Sequence, residues 1–148
     1  MSARTPAPSR TSGTPARTDG GRLLRLAAVA ALVISGVVHG GLAGSYGAGL
    51  PGITLGKAFV VQAVVTLVVA GWLLLRDVAL AWLAGAAIMA GTLAAILLAH
   101  TGSGLPQLGP IPALKEEGYE LPQLVTMAAE AAYLVLAAVR LLAARRSR

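Results

Sequence analysis

The sequence lacks cysteine altogether, and it contains few aromatic and few charged residues. Of its 148 residues, 4% are aromatic, 12% are charged and 56% are hydrophobic. Without cysteine, the chain cannot form disulfides, thiolate metal sites, iron–sulfur clusters or covalently attached c-type haem. The excess of hydrophobic residues is typical of an integral membrane protein and not of a soluble domain of this length.

The basic residues lie in the tails and connections, outside the apolar segments. The net charge of +6 would also suit a nucleic-acid-binding domain, but the chain has too few aromatic residues to stack on bases. We therefore expect the lipid bilayer, and no nucleic acid, among the partners of this chain.

Four apolar segments predict an all-α protein, an up-down-up-down bundle of four transmembrane helices. They cover about residues 23–46, 57–75, 78–100 and 122–142, and each is close to the ~20 residues that cross a bilayer. Residues 22–148 form this predicted domain, and residues 1–21, rich in Pro, Ser, Thr and Gly, are predicted to be a disordered basic tail. The first segment also has the basic approach of a signal peptide, but it is long for one.

The charges are distributed unequally between the two sides of the predicted bundle. Ten of the 12 Lys and Arg residues fall on the side of the chain termini. Because basic residues are retained in the cytoplasm during insertion, we expect a plasma-membrane protein with cytoplasmic N and C termini. Trp72 and Trp82 flank the turn between helices 2 and 3, and we expect both in the inner interfacial belt.

Small residues recur at four-residue spacing on two of the predicted helices. They are Gly36, Gly40 and Gly44 on helix 1, and Ala87, Gly91 and Ala95 on helix 3. Such ridges let helix backbones approach closely. The spacing is compatible with packing inside one chain and with a homo- or hetero-oligomer.

The few polar residues of the apolar segments cluster in the predicted outer half of the membrane. His39, Gln62 and Glu130 lie at similar depths on helices 1, 2 and 4. An ionised acid facing lipid costs roughly 2.5–3.5 kcal/mol, so we expect Glu130 to face the bundle with His39 and Gln62 as partners. Thr126, Glu130 and Tyr133 share one face of helix 4. The candidate binding residues are His39, Gln62, Thr126, Glu130 and Tyr133.

This cluster has three interpretations. Its hydrogen bonds can fix helix register, or it can form a polar pocket in which Glu130 and His39 exchange protons. It can also hold a cofactor, since His39 and His100 lie on diagonal helices from which two imidazoles ligate haem b. We expect no cofactor, with haem b as the alternative. No helix carries an HxxxH or ExxH metal-binding pair, and no nucleophile-elbow or phosphate-loop motif predicts catalysis.

The outer connection before helix 4 contains the acidic stretch KEEGYE, residues 115–120. It is interpreted either as a solvated loop or as a mouth that attracts cations.

Several short motifs resemble a family of small, functionally uncharacterised four-helix membrane proteins of high-GC actinobacteria. They are SGVVHGGLAGSY, LPGITLGKAFVVQ, HTGSGLP and LPQLVTMAAEAAYL, and the resemblance spans residues 22–142. It implies the same topology and a shared His39, Gln62 and Glu130. Where that family often has Arg before the Thr of the third motif, this chain has His100.

Three functions remain open from the sequence. The first is a non-enzymatic accessory or scaffold subunit that packs through its Gly and Ala ridges. The second is a small-solute or proton-linked transporter that uses His39, Gln62 and Glu130. The third is a haem-b or quinone-linked redox protein. We favour the first, because the sequence shows no internal inverted repeat of the kind found in secondary transporters.

Overall fold

The computed structural model describes residues 19–107, 109 and 113–146, and the regular structure in these residues is helical. The helices are α1 (Asp19–Leu42), α2 (Leu55–Leu75), α3 (Ala79–Ala99) and α4 (Leu121–Arg146). All four are long and apolar enough to cross a membrane. The prediction of an all-α bundle of four membrane-spanning helices is confirmed. Most of the predicted tail, residues 1–18, lies outside the described residues, and its last residues, 19–21, begin α1.

The helix boundaries differ from the sequence prediction at positions where glycine or a capping side chain ends or begins a helix. The first helix ends at Leu42, and a series of turns follows in which Gly47 has a φ of +78°, a conformation that favours glycine. The second helix begins at Leu55 because the Thr54 side chain caps it, accepting a hydrogen bond from the Lys57 N–H (3.3 Å). The fourth helix continues to Arg146, where basic side chains in the last turn suit the helix dipole.

The helices pack in a ring in which α1 contacts α2 and α4, and α3 contacts α4 and α2. The contact between α2 and α3 is the least extensive of these four. Two glycines bring α1 against α2: a Cβ at Gly36 would lie 3.2 Å from Leu67 Cγ, and one at Gly40 would lie 3.6 Å from the Ala63 Cβ. This part of the glycine ridge therefore serves packing inside the chain, whereas a Cβ built at Gly44 or Gly91 would meet no atom of the described residues within 4 Å.

We call the two ends of the bundle the loop end and the terminal end. The loop end contains the connections 43–54 and 100–120, and the terminal end contains the start of α1, the 76–78 turn and the end of α4. Toward the terminal end, Trp82 is 1% exposed and stacks on Tyr133 with ring centroids 6.0 Å apart. The Trp82 ring lies in the core, and its Nε1–H donates to Asp77 in the 76–78 turn (2.7 Å), while its interfacial depth stays a prediction.

The 100–120 connection folds back over the loop end. Leu105 and Leu114 form an isolated antiparallel bridge with N–O distances of 2.7 and 3.0 Å. The Glu116 N–H then donates to the Ala99 carbonyl at the end of α3 (3.0 Å). These bonds hold the side chains of Leu105, Leu114 and Glu116 above the helix ends.

Candidate functional site

A buried group of three side chains joins α1 to α4. The Ser35 hydroxyl donates to Glu130 Oε1 (3.0 Å), and the Thr126 hydroxyl lies 3.3 Å from Ser35 Oγ and 3.4 Å from the same carboxyl oxygen. Ser35 and Glu130 are both 0% exposed, so Glu130 faces the bundle and not the lipid. Within the described residues, Glu130 Oε2 has no hydrogen-bond partner.

His39 lies one turn of α1 beyond Ser35, toward the loop end. Its Nδ1 is 2.9 Å from the Ser35 carbonyl oxygen. Because a carbonyl can only accept, Nδ1 carries the hydrogen, and Nε2 of the neutral ring is left with a lone pair. No described residue hydrogen-bonds this Nε2, and the ring meets Phe59 edge-on at 5.3 Å between centroids. His39 makes no hydrogen bond with Glu130.

Gln62 and Thr66 lie one turn apart on α2, and each has a buried polar atom without a partner among the described residues. These atoms are Gln62 Nε2 and Thr66 Oγ1. Gln62 makes no hydrogen bond with Glu130, whose acceptor is used by Ser35 and Thr126 instead. Ser35 was not a predicted site residue; its signal in the sequence was the four-residue spacing from His39 on α1.

A cavity of about 230 Å³ opens above this group, inside the loop end. All four helices and the 100–120 connection contribute to it. Most of its wall is apolar, including Leu42, Phe59, Ile96 and Leu114. The polar side chains of the wall are His39, Tyr46, Gln62, Thr92, His100, Glu116, Gln123 and Thr126. The cavity thus unites three of the predicted binding residues, His39, Gln62 and Thr126, with the haem-ligand candidate His100 and with residues outside the predicted site.

Glu116 connects three helix ends at the mouth of this cavity. Its carboxylate accepts hydrogen bonds from the Tyr46 hydroxyl and from Gln123 Nε2, and His100 Nε2 lies 3.6 Å away. We call Glu116 and these three partners the Glu116 clasp. Burial, followed by the hydrogen bond and the charge of Glu116, raises the pKa of Tyr46 to about 12. Sequence reasoning placed Glu116 in an acidic loop but had no signal for its partners, which are distant in the chain.

Both ring nitrogens of His100 already have partners. Nδ1 lies 2.8 Å from the Ile96 carbonyl and Nε2 lies 2.9 Å from the Gly118 carbonyl, and the ring stacks on Tyr119 at 3.9 Å. Ligation of haem iron would break one of these bonds. The cavity is also smaller than the ~300–1,000 Å³ typical of pockets for drug-sized ligands. The haem-b alternative stays a prediction.

Tyr133 lies apart from the cavity. Its hydroxyl donates to the Trp82 carbonyl (3.1 Å), and its ring packs over Gly85. Tyr133 therefore belongs to the packed region toward the terminal end. Among residues 19–107, 109 and 113–146, no group of three His, Cys, Asp or Glu side chains is placed to hold a metal ion.

Comparison of the chain with known proteins finds no match to a family model, to a curated protein or to a solved structure. The resemblance to small actinobacterial membrane proteins stays a prediction.

Proposed function

We propose that this multi-pass membrane protein binds a small solute in the loop-end cavity. The observation that carries the proposal is that two cavity residues have a nitrogen without a hydrogen-bond partner among the described residues. These atoms are His39 Nε2 and Gln62 Nε2. Buried polar groups in native structures are almost always hydrogen-bonded, so an unpaired one needs a partner such as water or a ligand. A cavity that offers apolar walls and a few convergent polar groups is the usual form of a small-molecule site.

The cavity would receive its solute from outside the cell. This direction follows from the positive-inside rule, because six of the eight Lys and Arg residues that the structure describes lie toward the terminal end. Toward that end the bundle is filled by Trp82, Tyr133, Leu73 and Leu32, each at most 1% exposed. Because the interior is closed toward the terminal end, this conformation of a single chain favours reversible binding of the solute from one side over its passage across the membrane.

An accessory or scaffold role is the second candidate, and it depends on α3. Gly36 and Gly40 pack against α2, whereas Ala87 is exposed and a Cβ built at Gly91 would meet no atom of the described residues within 4 Å. A partner helix would therefore pack on Ala87 and Gly91. Chemical crosslinking of a Gly91→Leu variant in membranes tests this role, because the larger side chain should remove a crosslinked species that the wild type forms.

The small molecules that co-purify with the protein test the binding function. Ala95 lines the cavity, and Ala94 beside it on α3 is exposed to lipid. We expect mass spectrometry to detect a compound that is enriched with wild type and with Ala94→Phe, and that is lost with Ala95→Phe. Equal recovery from all three proteins would contradict binding in this cavity.

The absence of cysteine makes the access route directly measurable. Cysteine introduced by Ser103→Cys in the 100–120 connection, or by Ala58→Cys in the cavity wall, should react with a small membrane-impermeant thiol reagent applied to intact cells. Ala143→Cys near the end of α4 should react only after the cells are opened. Labelling of Ala143→Cys in sealed cells would reverse the proposed orientation.

A further inference from the structure

Most polar atoms of the cavity wall are already committed to protein partners. Both carboxylate oxygens of Glu116 accept hydrogen bonds, from Tyr46 and Gln123. The Gln123 carbonyl oxygen accepts from the Glu120 N–H (2.9 Å), and both nitrogens of His100 lie on backbone carbonyls. The clasp therefore closes one side of the cavity without offering an unpaired charge to a ligand.

The two threonines of the wall are also satisfied as donors. The Thr92 hydroxyl lies 3.0 Å from the Ile88 carbonyl on its own helix, and the Thr126 hydroxyl donates within the Ser35 and Glu130 group. Among the described residues of the wall, this leaves two side chains with strong unused hydrogen-bonding groups. They are His39, through Nε2, and Gln62, through its amide.

His39 and Gln62 project toward the same side of the α1–α2 contact. Gly40 of α1 lies against Ala63 of α2, and the two helices run in opposite directions. His39 precedes Gly40 by one residue, and Gln62 precedes Ala63 by one residue. A shift of one residue rotates the side chain by about 100° around the helix axis. Because the two helices are antiparallel, both rotations are toward the same side of their contact. Both side chains line the same cavity, with Phe59 beside the His39 ring. One small group can thus lie between them.

The two groups differ in what they offer. Gln62 Nε2 is a donor, and Nε2 of neutral His39 is an acceptor because Nδ1 holds the hydrogen. A hydroxyl group satisfies both, since its oxygen accepts from Gln62 while its hydrogen is donated to His39. A carbonyl or ether oxygen can accept from Gln62 but gives nothing to His39.

The rest of the cavity wall disfavours a charged ligand and limits the size of the ligand. A buried ion without a partner carries a large desolvation penalty, and the clasp leaves no free charge for it. A cavity of roughly 150 Å³ accepts benzene, so 230 Å³ leaves room for a substituted ring. Phe59, Ile96 and Leu114 supply apolar surface for such a body.

We infer that the ligand is a neutral, mainly apolar molecule the size of a substituted benzene ring, with one hydroxyl group held between Gln62 and His39. This inference rests on the proposed binding function and adds the chemical class of the ligand.

Fluorine NMR on the protein in nanodiscs tests the inference with three probes that share one ring. They are 4-fluorophenol, its methyl ether 4-fluoroanisole, and 4-fluorobenzoate. Empty nanodiscs measure partition into lipid, which is subtracted. We expect saturable binding of the phenol, about tenfold weaker binding of the ether because the Gln62–His39 bridge loses its donor, and no saturable binding of the benzoate.

Variants test whether Gln62 and His39 cause the preference for the phenol over the ether. Gln62→Leu removes the amide, and His39→Asn keeps a donor for the Ser35 carbonyl while removing the group at Nε2. Both should lose the preference for the phenol, whereas Val61→Leu, on the lipid side of α2, should keep it. Ala95→Phe should abolish binding of the phenol and the ether alike.

The outcomes separate this inference from the binding function. Equal affinity for the phenol and the ether would overturn hydroxyl recognition but leave the cavity as a binding site. Saturable binding of the benzoate at comparable affinity would overturn the neutral ligand class. Failure of all three probes would overturn the inference, while the co-purification experiment with Ala95→Phe decides the binding function by itself.

Discussion

The two ends of the bundle use the same four helices in opposite ways. At the terminal end, α2 and α3 are joined by only three residues, 76–78, and the interior is filled by Trp82 and Tyr133. At the loop end, the longer connections 43–54 and 100–120 let the helix ends stand apart around a cavity of about 230 Å³. The terminal end is therefore organised for packing, and the loop end is organised around polar groups that bind one another or remain unpaired.

If the cavity binds a solute as we propose, this difference places the groups that stabilise the bundle and the groups that bind the solute at opposite ends of the helices. In a bilayer, close packing of small and aromatic residues supplies most of the association between helices. A region that keeps a cavity gives up part of that packing, and hydrogen bonds such as those of the Glu116 clasp hold its helix ends instead. Substitutions at the terminal end should thus change stability first, and those at the loop end should change ligand access and affinity first.

The largest effect is expected at Gly85, at the terminal end. A Cβ at this position would overlap the Tyr133 hydroxyl and lie 2.5 Å from Tyr133 Cζ. We expect Gly85→Ala to lower the free energy of unfolding by about 3 kcal/mol, at the upper end of the range for overpacked cores. Gly91→Ala is the matched control on the same helix, because its added Cβ would have no neighbour within 4 Å in the part of the chain that the structure describes.

The measurement is unfolding by SDS titration in mixed micelles, followed by helical circular dichroism. The folded fraction of Gly85→Ala should still bind 4-fluorophenol with wild-type affinity. A stability loss no larger than that of Gly91→Ala would show that the terminal end is less tightly packed than the structure indicates.

A smaller loss is expected where the two regions meet, at Glu130. Glu130→Leu leaves the buried Ser35 hydroxyl without its acceptor and removes one of the two acceptors of the Thr126 hydroxyl, at a cost of about 1–3 kcal/mol. Glu130→Gln keeps an acceptor and should be milder. A double-mutant cycle with Ser35→Ala should give a coupling of roughly 0.6–1.7 kcal/mol, the range found for hydrogen bonds in membranes. Zero coupling would mean that the Ser35–Glu130 contact adds nothing to stability.

Glu116→Gln should act mainly on the loop end. It keeps hydrogen-bonding atoms but removes the charge that contributes to the raised pKa of Tyr46, and we expect a stability loss of about 1 kcal/mol or less. The reaction of a cysteine from Ala58→Cys with thiol reagents should become faster, because the clasp closes the cavity mouth. An unchanged labelling rate would contradict this role of the clasp.

The same variant gives a spectroscopic readout through Tyr46. The pKa of Tyr46 rises from 10.0 to about 12 in the folded protein, so its contribution to stability is complete below pH 10 and is lost as the pH rises toward 12. The difference in phenolate absorbance between wild type and Tyr46→Phe should have its midpoint at about pH 12. Glu116→Gln should move that midpoint down, and an unmoved midpoint would leave burial as the sole cause.

The smallest effect is expected at Asp77, in the turn of the terminal end. Burial raises the pKa of Asp77, but hydrogen bonds from Trp82 and Arg140 and the charges of Arg140 and Arg25 outweigh it and hold the pKa below its ordinary value. The stabilisation is therefore present above the ordinary carboxyl pKa and is lost as the pH falls through the lowered one.

Asp77→Asn should cost only about 0.5 kcal/mol near neutral pH, because the Arg140 contact (3.2 Å) is partly exposed. The amide oxygen can still accept from the Trp82 N–H. Unfolding experiments at neutral and acidic pH should show the difference from wild type shrinking in acid. A loss comparable to that of Gly85→Ala would place the polar turn, and not the aromatic packing, at the centre of terminal-end stability.

The sequence by itself determined the architecture, because the number and length of membrane-spanning helices depend on local hydropathy. It also placed Glu130 on a helix face that would turn inward, since an acid in lipid is costly. It did not determine which partner Glu130 takes: His39 and Gln62 were predicted, whereas the rotation of α1 brings the Ser35 hydroxyl to the carboxyl group.

Only the tertiary structure decided where the bundle contains a cavity and where it is closely packed. The burial of Trp82 follows from its contact with Tyr133, and the Glu116 clasp joins residues from three helix ends and a loop. Such contacts depend on the path of the 100–120 connection and on how far α2 and α3 separate at the loop end. Neither is encoded in the period of a single helix, because both result from many weak packing contacts made by all four helices together.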